Sequence, residues 1–257
     1  MSLTRALVRA PGTNYADGLT RSELGAPSFT KAKAQHQQYC AELERFGLEL
    51  IHLSADARYP DGTFVEDAAI VTGRGAIIAR PGAEVRRGEV PSVREALGEL
   101  VPVLGEIEAP GTVDGGDVCE TRDRFLIGLS ERTNDAGAGQ LRDILKIHGY
   151  EATIIDLRGI PELLHLKTGL FAMDDGRLAA VDALARRDEL REFEIVRVAD
   201  GESYAANAVC INGRVLLAKG FPLLEAALTR LGYEVATLEM SEFRKMDGGL
   251  SCLSIRL

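Results

Sequence analysis

Three stretches of the chain share one change of hydrophobic rhythm. In Phe46-Gly47-Leu48-Glu49-Leu50, His148-Gly149-Tyr150-Glu151-Ala152 and Leu231-Gly232-Tyr233-Glu234-Val235 an amphipathic pattern stops on a glycine and an extended run begins at once. A glycine at C′ followed directly by a strand pattern predicts a helix feeding a strand. The residues upstream carry the matching stripe. Leu141, Ile144, Leu145 and His148 fall on one helical face, as do Leu224, Ala227, Leu228 and Leu231. Pro222 stands in the first turn of the second of these, where its missing N–H costs nothing. Such patterns predict helices near 28–46, 87–100, 134–148, 183–192 and 222–231.

Between the helices lie short apolar runs separated by turn residues. Residues 68–71 turn at Gly73-Arg74-Gly75 into 76–79, and 118–121 turn at Arg122-Asp123 into 125–129. Residues 169–173 turn at Asp174-Asp175-Gly176 into 178–181, and 209–211 turn at Asn212-Gly213 into 215–218. These are hairpin signals. The unit strand, strand, helix, strand thus recurs about five times at roughly 40–60 residues, a period that points to a propeller or solenoid. A last apolar run at 252–257 can complete the unit that Ala6-Leu7-Val8 begins, closing a ring. The expected fold is α/β: a five-bladed α/β propeller of pseudo-fivefold ββαβ units around a central site, with residues 1–257 as one domain. A doubly wound sheet accounts for the hairpins less well.

Composition narrows the partners. The chain has 257 residues, 46% hydrophobic and 27% charged, as a globular protein with a large core has. Its net charge of −9 disfavours nucleic acid, which needs a basic face, and leaves carboxylates for a cationic substrate. No apolar stretch is long enough to cross a bilayer, and Met1-Ser2-Leu3-Thr4-Arg5 does not open a signal peptide. The expectation is a cytoplasmic protein with no membrane partner. Cys40, Cys119, Cys210 and Cys252 are far apart and show no CxxC pair, so free thiols are expected rather than disulfides or a zinc site.

Polar residues recur at one position, just ahead of the hairpins. Glu66 and Asp67 precede the first, and Asp114 and Asp117 precede the second. His165 precedes the third, and Cys252 heads the last strand beside Gly248-Gly249. Each has a bland reading: aspartates form turns, a histidine between leucines packs in a core, and most single cysteines are merely buried. Their shared position argues otherwise. In a ring of related units, equivalent positions converge on the axis, bringing carboxylates, an imidazole and a thiol into one pocket.

With these motifs in order, the sequence resembles the dimethylarginine dimethylaminohydrolases, members of the guanidine-modifying pentein superfamily with a fivefold α/β propeller. The resemblance covers nearly the whole chain. It is carried by Asp17-Gly18-Leu19-Thr20, Pro60 to Asp67, Arg80 to Arg87, Gly111 to Asp117, Arg132-Thr133-Asn134, His165-Leu166-Lys167 and Lys245 to Cys252. It implies Cys252 as nucleophile, His165 as general acid/base and Asp114 as its acidic support. It further implies Asp67 as the grip on a guanidinium, Asp61 and the Leu19 backbone as receivers of the substrate α-amino group, and Arg86 and Arg132 as binders of its α-carboxylate. Glu66 and Met246 match pocket-wall positions. Asp114 stands where some relatives have glutamate, and Gly62 and Val85 where serine is common.

The implied reaction converts methylated arginines to citrulline and an amine through a covalent thiouronium. A thiolate adds to the guanidinium carbon and a histidine protonates the leaving amine, so no metal or organic cofactor is required. A homodimer remains open. The alternatives are an arginine deiminase, which usually carries an extra helical insertion, a non-catalytic binding propeller of the same fold and a redox-sensing thiol protein. The last two leave the Cys, His and carboxylate set unexplained.

Overall fold

The computed structural model describes residues 2–122 and 124–257. The Asp123 half of the expected second turn therefore lies outside the described residues. The chain opens with β1 (Arg5–Arg9), α1 (Phe29–Arg45) and β2 (Glu49–Leu53). Next come β3 (Ala69–Thr72), β4 (Gly75–Ile78), α2 (Val90–Gly98) and β5 (Val103–Glu106). The third unit is β6 (Val118–Glu120), β7 (Arg124–Leu129), α3 (Asp135–Ile147) and β8 (Glu151–Asp156). The fourth is the short α4 (Leu166–Gly169), β9 (Leu170–Ala172), β10 (Leu178–Ala180), α5 (Asp182–Ala185) and β11 (Ile195–Arg197). Then β12 (Val209–Ile211), β13 (Arg214–Ala218), α6 (Pro222–Arg230) and β14 (Glu234–Leu238) precede α7 (Ser241–Arg244) and β15 (Ser254–Arg256).

Among the described residues, fifteen strands form five three-stranded sheets of one design. In each, the middle strand runs antiparallel to the strand before it and parallel to the strand after it. The fifth sheet joins the chain's two ends: β15 pairs with β1 in the register Leu7↔Ile255, and β1 pairs with β2 across α1. This is the five-bladed arrangement that the repeat predicts. The crossover helices face the sheets along a single stripe. In α1 it is Ala32, Gln35, His36, Tyr39, Cys40 and Leu43, and in α3 it is Gly137, Ala138, Leu141 and Leu145. Gly47, Gly149 and Gly232 have φ of 90°, 78° and 93°, the left-handed conformation that lets each helix stop and turn into its strand.

Two expected helices differ. Over 183–192 only one helical turn forms, followed by a 3-10 turn at Asp188–Leu190. Leu184 and Leu190 are its buried anchors. Six residues apart, they would lie about 240° around a continuous helix, so one face could not bury both. Residues 84–89 form a 3-10 turn before α2 starts at Val90. Cys252 lies not on a strand but in the 3-10 turn Ser251–Leu253 just ahead of β15.

That turn has four counterparts. The short turns Val65–Ala68, Gly115–Asp117, α4 and Ser203–Ala206 precede β3, β6, β9 and β12. Adjacent turns pack on one another: Val65–Ala68 contacts both Gly115–Asp117 and Ser251–Leu253, and α4 contacts Gly115–Asp117 and Ser203–Ala206. Five blades thus bring five turns to one centre.

Candidate active site

The turns deliver the polar residues together. Asp67, Asp114 and His165 offer ligand atoms within 4.8 Å of one another. All three are buried. His165 Nε2 meets Asp114 Oδ2 at 3.1 Å, while the other oxygen of Asp114 accepts the Gly82 N–H at 2.8 Å. The imidazole is therefore braced by a carboxylate that is itself fixed from the second unit. Gly116 allows the closeness: a Cβ there would come within 2.9 Å of His165 Nδ1 and 3.0 Å of Asp67 Oδ1. Its N–H instead donates to Asp67 Oδ1 at 3.0 Å.

The charges decide the protonation states. Burial opposes ionisation of His165, yet Asp117, Asp67 and Asp114 outweigh it and hold the imidazole pKa up at about 9. Burial also works against the Asp67 carboxylate. The Arg86 and His165 charges, with hydrogen bonds from Arg86 and Gly116, nevertheless bring it down to about 2. Cys252 goes the other way. Burial, then Glu66 and Asp67, push its thiol up to about 12 against weaker help from Gly249 and Ser251. At neutral pH the site holds an imidazolium, a carboxylate and a neutral thiol.

Asp61 and Leu19 meet, with the Leu19 N–H donating to both Asp61 oxygens at 3.2 and 3.1 Å. Met246 joins them: a Cβ on Gly18 would lie 2.4 Å from Asp61 Oδ1 and 3.1 Å from Met246 Cε. The segment carrying Leu19 is tied down beside it. Thr20 Oγ1 donates to the Lys245 carbonyl at 2.9 Å, and the Arg21 N–H donates to Asp247 at 2.5 Å. Arg132 is half-buried, its backbone N–H donates to Ser130 Oγ, and its charge is felt at Asp61.

Two residues stand differently from expectation. Arg86 is buried with its guanidinium turned inward: Nη1 pairs with Asp67 at 2.6 Å, while Nε and Nη2 pair with Glu89 at 3.1 and 2.9 Å. Nη2 also reaches the Asp61 and Phe64 carbonyls. A guanidinium in a dry site must satisfy its five donors, and these acceptors are the ones within reach. In this arrangement the Arg86 guanidinium braces Asp67. Glu66 is no open wall either. One of its oxygens accepts from Lys167 Nζ at 2.7 Å and Arg256 Nη2 at 3.1 Å, and the other from Ser251 Oγ at 2.8 Å. It forms a charged floor shared by three units. Glu66, Gly115, Lys167 and Ser251 also line a cavity of about 790 Å³.

Sequence reasoning brought Asp117 to the axis without a role and did not assign Asn207 or Ser251 to the site. Asp117, fully buried, accepts from the Leu166 N–H at 3.0 Å and from Ser130 and Thr133 hydroxyls at 2.6 and 2.7 Å. Burial pushes its carboxyl up to about 6 despite His165 and these bonds. A signal for Asn207 was present: Asn207-Ala208-Val209 ahead of the fourth hairpin repeats the placing of Asp67-Ala68-Ala69 ahead of the first.

Asp67, Asp114 and His165 are, among the described residues, the group spaced to hold a metal ion. Two of their four carboxylate oxygens already accept backbone N–H groups, one pairs with Arg86 and one holds His165. A planar cation that brings its own N–H donors suits such acceptors. A buried thiol, an imidazolium braced by a carboxylate and a carboxylate grip, set on the axis of a five-bladed α/β propeller, are the equipment of a guanidine-modifying hydrolase.

The comparisons narrow that class. The chain is 42% identical over 251 residues to the N(G),N(G)-dimethylarginine dimethylaminohydrolase of Pseudomonas aeruginosa, covering 97% of this chain and 98% of that one. The solved DDAH from the same organism, a cysteine-to-serine variant complexed with citrulline, superposes with a TM-score of 0.96 at 40% identity over the whole of both chains. A histidine-to-glycine dimethylarginine dimethylaminohydrolase, as the adduct with S-methyl-L-thiocitrulline, gives a TM-score of 0.95 at 41% identity, covering 99% of this chain and 100% of that one. No family model matches the chain. The chain belongs to the dimethylarginine dimethylaminohydrolase family.

Proposed function

We propose that the chain hydrolyses Nω-methylated arginines to citrulline and dimethylamine or methylamine, with residues 1–257 acting as one catalytic domain. The observation that carries this reading is the meeting of Asp67, Asp114 and His165, with Cys252 on an adjoining turn that packs on the Asp67 turn and feels its charge, in a chain alike end to end to a dimethylarginine dimethylaminohydrolase.

In this reading the substrate α-amino group is received at Asp61 and Leu19, its α-carboxylate at Arg132, and its guanidinium against Asp67. Met246 and the Glu66 floor bound the pocket. Arrival of the cation favours loss of the Cys252 proton, and the thiolate adds to the guanidinium carbon. His165, already cationic, gives its proton to the leaving nitrogen as the tetrahedral adduct collapses, and dimethylamine departs. A thiouronium on Cys252 remains. Neutral His165 then takes a proton from water as it adds to the same carbon, and expulsion of the thiolate leaves the ureido group of citrulline. Asp114 holds the imidazole in place through both halves. The proton that leaves Cys252 passes to solvent and is balanced by the one the departing amine takes up, and the proton left on the new ureido oxygen returns to the expelled thiolate, restoring the thiol beside a cationic His165.

Citrulline release from asymmetric dimethylarginine, monomethylarginine and arginine, measured side by side, tests the reading. Methylated substrates are expected to lead in kcat/KM by at least about 100-fold, roughly 2.7 kcal/mol of transition-state binding. Equal or better turnover of arginine would make the enzyme a deiminase.

A further inference from the structure

The blade of β12, β13 and β14 supplies no reacting group, yet its turn reaches the centre like the other four. At the end of that turn stands Asn207, buried, with its amide between the two turns that carry the proposed nucleophile and acid/base. Its Oδ1 accepts the Ser251 N–H at 2.9 Å. Its Nδ2 donates to the Lys167 carbonyl at 3.0 Å and to Ser251 Oγ at 3.1 Å. The orientation of the amide is fixed by these partners, since a backbone N–H can only donate and a carbonyl can only accept.

Ser251 precedes Cys252, and Lys167 lies two residues beyond His165. One side chain therefore bonds the backbone of both functional turns. The neighbouring chain comes close around it: a Cβ on Gly249 would stand 2.2 Å from Asn207 Oδ1, so the glycine lets the nucleophile segment press onto the amide. The same blade adds a second strap, with Tyr204 donating from its hydroxyl to the Gly248 carbonyl at 2.8 Å.

We propose that Asn207 is a positioning residue that sets the placement of Cys252 relative to His165. It rests on the functional reading above for its consequence but not for its geometry. Addition and breakdown of the adduct both need thiol and imidazole aligned at one carbon, and a misplacement of about 1 Å can cost on the order of 100-fold. Asn207 makes no hydrogen bond to Asp61, Asp67 or Arg132, the groups proposed to hold the substrate.

The test uses Asn207→Asp, which keeps the acceptor for Ser251 N–H but loses both donors, and Asn207→Ala, which loses all three bonds. Each is assayed on asymmetric dimethylarginine beside its thermal unfolding midpoint. The expected result is a folded protein whose kcat falls about 100-fold while KM stays within about threefold. As a readout independent of substrate identity, alkylation of Cys252 by 2-chloroacetamidine should slow by a similar factor. A wild-type enzyme that releases no citrulline would refute the functional reading, and alkylation would still decide the role of Asn207. Unchanged kcat and alkylation, a loss confined to KM, or collapse of the fold in both variants would overturn the positioning role.

Discussion

The free enzyme should carry Cys252 as a thiol that only a cation can ionise. Burial with Glu66 and Asp67 holds its pKa up at about 12, so at pH 7 the thiolate fraction is on the order of one in 10⁵. A guanidinium or amidinium placed about 4 Å from the sulfur, at an effective dielectric of 20, offers about 4 kcal/mol of attraction to the thiolate and raises that fraction roughly a thousandfold. The assay compares two alkylating agents of similar size, neutral iodoacetamide and cationic 2-chloroacetamidine, over pH 6 to 10. Modification at Cys252 is followed by mass spectrometry. The neutral reagent should react with a rate that still climbs at the alkaline end. The cationic one should inactivate efficiently at neutral pH, by a ratio well beyond that for a small thiol in solution. An inflection for the neutral reagent below the ordinary cysteine value, near pH 8.5, would mean that Cys252 is already ionised beside His165, and substrate-driven activation would be wrong.

Further outcomes follow from the same charges. Arg86→Met leaves Asp67 and Glu89 buried without their partner and should cost about 3–5 kcal/mol of stability, visible in a denaturant midpoint. Arg132→Ala, at a half-buried site, should instead raise KM about tenfold or more for arginine derivatives and leave the midpoint nearly unchanged, and equal KM effects of the two variants would make Arg86 a substrate ligand as well. His165 titrates higher when folded than its ordinary value, so its stabilising share is complete below about pH 6.5 and is lost as pH rises through about 9. The unfolding midpoint should fall across that window in the wild type and fall less in His165→Asn. Asp117 is the strongest of the charges that raise His165, so Asp117→Asn should move the alkaline limb of the kcat/KM profile to lower pH, and an unmoved limb would detach it from the imidazole.

How much of this was legible in the sequence depends on what each residue answers to. Local rules reach the C′ glycines, the Asn212-Gly213 hairpin and the stripe of α3, because a left-handed φ or a buried face is written within a few neighbouring positions. The ring itself was legible because one unit repeats, and repetition turns a local position into a place on an axis. That is why Asp67, Asp114, His165 and Cys252 could be placed together from more than 180 residues of intervening chain. The direction of a long side chain is another matter. Arg86 reads as a cation near the site mouth, and only the spacing of Glu89 three residues on, together with the depth of Asp67, turns it inward. Glu66 likewise depends on Lys167 and Arg256, from blades far along the chain. Asn207 shows the limit most plainly. Its chemistry is neutral, so a search for titratable groups passes over it, although its position in the repeat is that of Asp67. A fivefold ring gives each blade one seat at the centre, and a seat without a reacting group is still occupied by a side chain that must bond to its neighbours. In such folds the repeat position, more than the residue type, marks what touches the site.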